Sequence, residues 1–230
     1  MNYKKNRKYL SGSDTLHYIG LGLAILGGVL ILIGEMFWIF IIPYQYYVAL
    51  ALAAIGGILV LISSAGAANL DEIDAQIKEK TDALIKDTEE LIPKNKARQT
   101  EAPVLLGNFI LEGDDVIVRK SKDGKYRSSL YSAAAVLYKK ESICVSQHIF
   151  SLISDKSEEN SYEIPYENIP KAIVREKNVY LQDKKLTVKI QELHITDKDG
   201  TEIIVPVINS VIIDEFCEKL NSEVKKKTAQ

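Results

Sequence analysis

Arg119, Lys120, Lys122, Lys125 and Arg127 crowd one short stretch of the chain, opposed within it only by Asp123. Cations at that density hold anions. Each Lys or Arg near an acidic leaflet is worth about 1 kcal/mol, so several together could dock a domain on anionic lipid headgroups or a partner. The same residues would also serve as the solvated charges that guard a strand edge. Other reactive types are sparse. His17 flanks an apolar block, while His148 and His194 fall inside expected strands. Cys144 alternates with Ile143 and Val145, and Cys217 borders the apolar face of the last helix, so both thiols read as small buried residues. There is no Gly-rich phosphate loop, nucleophile elbow or paired metal-ligand spacing. Asp197–Glu202, "DKDGTE", opens like a calcium loop but lacks the later ligands and the distal bidentate Glu, so it reads as a hairpin turn. The expectation is a non-enzymatic chain without cofactor or metal.

One further residue could do chemistry. Glu35 is the only formal charge between Ile19 and Ala68. A carboxylate at hydrocarbon depth is costly and marks a functional site unless geometry carries it to the interface. Two apolar runs surround it, about Tyr18–Ile42 and Tyr46–Ala68, each above the ~20 residues that cross a bilayer. Only Pro43-Tyr44-Gln45 separates them, which predicts a tight antiparallel hairpin over 18–68, too long for a cleaved signal peptide. Lys4, Lys5, Arg7 and Lys8 precede the hairpin, and Lys78, Lys80 and Lys86 follow it. The positive-inside rule then puts both chain ends in the cytoplasm and the turn outside, in the cell membrane. Gly20, Ala24, Gly27, Ile31 and Gly34 recur at helical spacing in the first run. Ala49, Ala53, Gly56, Val60, Ser63 and Ala67 do so in the second. Facing small residues let two backbones approach closely, as an intramolecular seam or as a homo-oligomer contact.

With the turn at Pro43–Gln45, residues opposite each other sum to about 88, so Glu35 is expected beside Ala53, about two helical turns from the loop. Trp38, Tyr44, Tyr46 and Tyr47 would form an aromatic belt. No Lys or Arg lies in either run to pair with Glu35. It is then either an interfacial acid that snorkels or stays protonated, or a proton- or cation-sensing site or hydrogen-bonding contact to a partner span, as in a small channel or transport-complex component.

These residues need elements to hold them. The chain has 230 residues and a formal charge of −2, so global charge argues against a nucleic-acid partner. Residues 1–17 form a basic N-terminus. Over 69–97, Leu70, Ile77, Leu84 and Leu91 recur every seven residues with Ile73 in support. Lys80 and Asp87 occupy the positions a full coiled coil wants apolar. This predicts an amphipathic helix continuous with the second span and ending at Pro93: a stalk, a dimer contact, or a helix docked on the next domain. From 102 to 230 the period switches toward two. Strands are expected at Phe109–Leu111, Asp115–Lys120, Leu130–Tyr138, Ile143–Ser154, Tyr162–Ile164, Ile169–Glu176, Leu186–Ile195 and Glu202–Val205, with turns at Asp123-Gly124 and Asp199-Gly200. Ile212, Ile213, Phe216, Leu220 and Val224 stripe a final helix. The class is α+β: a small β-barrel or bent sheet capped by the C-terminal helix.

The run "ESICVSQHIFSLISDKSEENSYEIPYENIPKAIV", Glu141–Val174, resembles the middle of bacterial PH-like and GRAM-like domains. Two strands lead through a polar turn into Ile164-Pro165-Tyr166-Glu167-Asn168-Ile169, and the final helix falls where such folds place their capping helix. Many bacterial PH-like proteins also carry two spans ahead of the domain. The resemblance implies a scaffold or adaptor that presents a cytoplasmic PH-like domain to protein or anionic lipid. Lys120 with Lys125-Tyr126-Arg127 is similar to the basic pattern by which some PH domains hold headgroups in their first hairpin.

Overall fold

The computed structural model describes residues 1–12, 14–37, 43–90, 102–208 and 211–228. They form two compact units: Arg7–Ala68, and Met1–Asn6 together with Asn69–Gln230. The first helix is α1 (Tyr3–Ser11). The sequence reading carried no helix there.

In the first unit, α2 (Asp14–Phe37) and α3 (Pro43–Ser64) pair along their length. Both are long and apolar enough to cross a membrane. Their seam is built from absent side chains. A Cβ on Gly27 would lie 2.6 Å from the Ala49 carbonyl oxygen, and one on Gly20 would lie 2.9 Å from that of Gly56. A Cβ on Gly56 would fall against Ala24 N and Gly20 O. Gly34 and Ala49 are buried. Gly22, Gly28 and Gly57 face open space, and Ile25, Leu32, Ile58 and Leu61 are exposed on the outer surfaces.

Two expectations need correction here. Pro43 does not turn the chain. It opens α3, where a missing N–H costs nothing because first-turn donors have no helical partner. The register shifts accordingly: Ala53 abuts Gly27, so it is not beside Glu35. Glu35 belongs to the last turn of α2, and its side chain, like Trp38, lies outside the described residues. Nor does the second apolar helix continue into the charged one. α3 stops at Ser64, Gly66 takes φ +71°, and Asn69 restarts the chain as an N-cap, its Oδ1 accepting from the Glu72 N–H at 2.7 Å.

The second unit holds α4 (Leu70–Glu90), nine strands and α5 (Val211–Thr228). β1 (Val104–Phe109), β4 (Leu130–Tyr138), β5 (Ser142–Ser151) and β6 (Ser157–Pro165) form an antiparallel sheet in that order. β2 (Val118–Lys120) and β3 (Tyr126–Ser128) make a hairpin inserted after β1. β7 (Lys171–Leu181), β8 (Leu186–Thr196) and β9 (Glu202–Val207) form a three-stranded antiparallel sheet. The hairpin turns use Gly124 at φ +81° and Gly200 at φ +83°, angles that only glycine adopts cheaply.

The core lies between the two larger sheets. Val136, Ile143, Val145, Leu193, Ile195 and Val205 meet the α5 stripe Ile213, Phe216, Leu220 and Val224 there. Asn221 on α5 closes part of the β7 edge. Its Oδ1 accepts from Ala172 N–H at 3.1 Å, and its Nδ2 donates to Ala172 O at 3.0 Å. Of the barrel or bent sheet expected, a closed barrel does not form. No hydrogen-bonded ladder joins the larger sheets among the described residues. β1 and β9 are neighbours tied by side chains instead: Asn108 Nδ2 donates to Val207 O at 3.2 Å. Gln147 on β5 likewise donates from Nε2 to Ile204 O at 3.0 Å.

Several strand bounds also shift, among them β2 to Val118–Lys120 and β7 to Lys171–Leu181. β1 starts at Val104 because Gly107, which interrupts the apolar alternation, lets Ser132 O come within 2.6 Å of where a Cβ would stand. The polar residues 157–160 belong to β6, an edge strand whose outer face is solvated. Tyr126–Ser128 is a strand that the charge pattern concealed.

Of the alternatives left open for 69–97, the structure shows docking. α4 packs on β4 and β5. Ala134 and Val136 face the core, so Ala133, Ala135 and Leu137 face the other way, and all three are fully buried. On α4, Ile73, Ile77, Thr81 and Thr88 are buried, Ile73 with no exposure at all. The N-terminus joins the same unit. Asn6 is buried and its Nδ2 donates to Gln76 Oε1 and Leu152 O, both at 2.9 Å.

Candidate binding site

The five cations of the β2–β3 hairpin have unequal surroundings. The register pairs Arg119 with Arg127 and Lys120 with Tyr126. Lys120 Nζ lies 5.8 Å from the Tyr126 ring centroid, Lys122 and Lys125 are exposed, and Arg119 is half-buried. Arg127 is different: it is 8 % exposed. Its NH1 donates to Asp123 at 2.8 and 3.0 Å, and its NH2 donates to Asp74 of α4 at 3.2 Å. Its guanidinium carbon is 6.0 Å from the Phe109 ring centroid. Burial pulls the Arg127 pKa down, but the bonds to Asp123 and Asp74 outweigh it and the net shift is upward. Asp123 is held below its ordinary value, chiefly by the Arg127 hydrogen bond. Arg127 therefore joins the hairpin to α4, a tie across more than fifty residues that no local pattern announces. Four of the five cations remain toward solvent to different degrees.

Beside this tie lies a groove of about 630 Å³. α4 contributes Asp74, Ile77, Lys78 and Thr81, and β1 with the residues after it contributes Leu105, Asn108, Phe109 and Leu111. The hairpin adds Lys125, Tyr126 and Arg127, and β8 adds Val188, Lys189, Ile190 and Gln191. Tyr131 closes one side, stacked edge-on against Phe109 at 5.1 Å. Sequence reasoning missed this groove because its walls are contributed by segments as far apart as Asp74 and Ile208. Asp74 was readable only as one more charge on a helix.

The remaining candidates sit elsewhere. His194 Nδ1 lies 2.8 Å from Glu202 Oε1, and its Nε2 lies 3.5 Å from Glu192. Arg175 and Lys177 extend that ion cluster, and Lys177 also bonds Glu112. Cys144 is buried, and burial raises the thiol pKa of half-buried Cys217. His17 Nδ1 is 3.2 Å from Ser63 Oγ at one end of the α2–α3 pair.

His148 lies on β5, on the side that α4 covers. Its ring stacks on Phe150 at 5.1 Å, and its buried Nε2 has no hydrogen-bond partner although Glu159 Oε1 is 3.5 Å away. Burial holds its pKa below the usual 6.5, with Lys80 adding to the shift and Glu159 and Asp87 opposing it. The unfolded chain thus takes up a proton first. Stability is complete above pH 6.5 and falls as pH drops from 6.5 through the folded pKa. We expect the melting temperature to decline over that window, and His148→Asn to flatten the decline. An unchanged slope in the variant would assign the pH dependence to other groups.

No family model, curated protein or solved structure matches the chain.

Proposed function

We propose that the chain is a non-enzymatic integral membrane protein whose helical hairpin anchors a PH-like cytoplasmic domain for binding anionic lipid surfaces or proteins. Strand order supports the PH-like reading. β1, β4, β5 and β6 form a four-stranded antiparallel meander, and β7, β8 and β9 form a three-stranded one, followed by a packed C-terminal helix. That is the order of a PH fold with one hairpin inserted between its first two strands. The observation that carries the binding role is the content of that insertion: Arg119, Lys120, Lys122 and Lys125 cluster where PH domains hold anionic headgroups. The exposed aliphatic surfaces of α2 and α3 support the membrane anchor.

Cytoplasmic placement of both ends follows from the basic flanks, and the contacts of Asn6 supply a second argument. A side chain bonded to Gln76 and Leu152 supports placing the N-terminus and the domain on one side of the membrane. A scaffold role needs no catalytic pair, and His194 is engaged by Glu202 at 2.8 Å.

Amine footprinting of the full chain in nanodiscs tests the reading. Lys120, Lys122 and Lys125 are expected to gain protection in discs containing anionic lipid, and to lose it as salt shortens the screening length below about 10 Å. Equal labelling in neutral and anionic discs would remove the lipid role and leave protein scaffolding.

A further inference from the structure

We infer that the groove between α4, β1, the β2–β3 hairpin and β8 is a binding site for a single-chain anionic amphiphile, a long-chain carboxylate. The proposal rests on the membrane reading, which supplies such molecules at the domain's surroundings, and deepens it by naming a ligand class and a second site. The groove volume of about 630 Å³ falls within the ~300–1,000 Å³ of small-molecule sites.

Leu105, Asn108 and Phe109 of β1 line one wall. Phe109 lies next to Arg127, and Leu105 lies about 13 Å away at ~3.3 Å per residue. The apolar lining reaches solvent, with Leu105 37 % and Ile208 57 % exposed. Ile77, Tyr131, Val188 and Ile190 also line the groove. This is a track for a chain rather than a cup for a compact polar solute.

The lining asks for an anion. Arg127 is nine-tenths buried and spends NH1 on Asp123 and NH2 on Asp74, yet its buried Nε–H has no acceptor. An unmade hydrogen bond at a buried donor costs about 1–3 kcal/mol, more on a charged group. That nitrogen is out of a ligand's reach, so a carboxylate would instead pair with the lysines on the groove wall. Lys78, Lys125 and Lys189 also line the groove, against the single carboxylate of Asp74. The walls thus remain cationic after Arg127 and Asp74 neutralise each other. A peptide would need paired backbone partners along its length. The groove offers instead an apolar path with cations on its walls.

Photocrosslinking of the full chain in neutral-lipid nanodiscs, with palmitate carrying a diazirine in its tail, tests the assignment. Label is expected on peptides holding Phe109, Tyr131 and Ile190, displaced at least tenfold more effectively by palmitate than by hexadecanol. Ile190→Trp, which fills the groove, should lower the yield at least fivefold. Lys125→Glu, an exposed change that keeps the fold even if the first variant does not, should lower it at least threefold. Lys122→Glu at the hairpin turn should leave it unchanged. Label confined to α2 and α3, equal competition by hexadecanol, or indifference to both groove variants would overturn the proposal. Neutral lipid separates this outcome from the footprinting result: groove labelling without lysine protection removes hairpin docking alone, and the converse removes the groove alone.

Discussion

Gly56→Ile is expected to break the α2–α3 pair, whereas Gly57→Ile, one residue along the same helix, is expected to leave it intact. The new side chain at position 56 would meet the α2 backbone at Gly20 and Ala24, which cannot rotate away as a side chain can. At position 57 nothing lies within 4 Å. Overpacking a tight contact costs about 1–3 kcal/mol, and a backbone neighbour puts this case at the upper end. An outward substitution on an open surface should stay within about 0.5 kcal/mol. Unfolding of the full chain in lipid, read by a fluorophore pair on the two helices, would show the contrast. Equal effects of the two variants would mean that the seam lies on another face.

Ile73→Ala is expected to have the larger effect on the second unit. Ile73 is fully buried in α4, with the alanine-rich outer face of β4 beneath that helix. Removing three carbons at such a site costs about 2–5 kcal/mol, depending on how far the cavity collapses. Amide exchange should therefore rise through α4 and in β4 and β5. Exposed Glu79→Ala should change neither. If α4 stood free as a stalk, Ile73→Ala would leave exchange in β4 and β5 untouched.

Packing makes the reasons for legibility plain. β4 was readable to its exact bounds because "LYSAAAVLY" is buried on both faces, core on one and α4 on the other, leaving an apolar run interrupted only by Ser132 between polar residues. The Gly/Ala stripes were readable because close helix approach demands small residues at fixed spacing. The hairpin register was not, since Pro43 serves equally as a turn residue or a helix opener, and choosing wrongly moved Ala53 from Gly27 to Glu35. The docking of α4 was half visible. Its stripe was plain, but Thr81 and Thr88 complete it, and each satisfies its own hydroxyl on the preceding turn, Thr81 on Lys78 O and Thr88 on Leu84 O. Arg127 looked like its four neighbours in sequence. Only Asp74, far upstream, sets it apart. The groove depends wholly on such distant meetings, so nothing local could have announced it.

The central claim is a membrane hairpin that leaves its folded domain on the cytoplasmic side. Lys122→Cys, placed at the exposed hairpin turn in a Cys144→Ser, Cys217→Ser background, tests it with a membrane-impermeant maleimide. The account predicts labelling in inverted membrane vesicles and none in intact cells. Labelling of intact cells, or release of the protein from membranes by carbonate extraction, would contradict it.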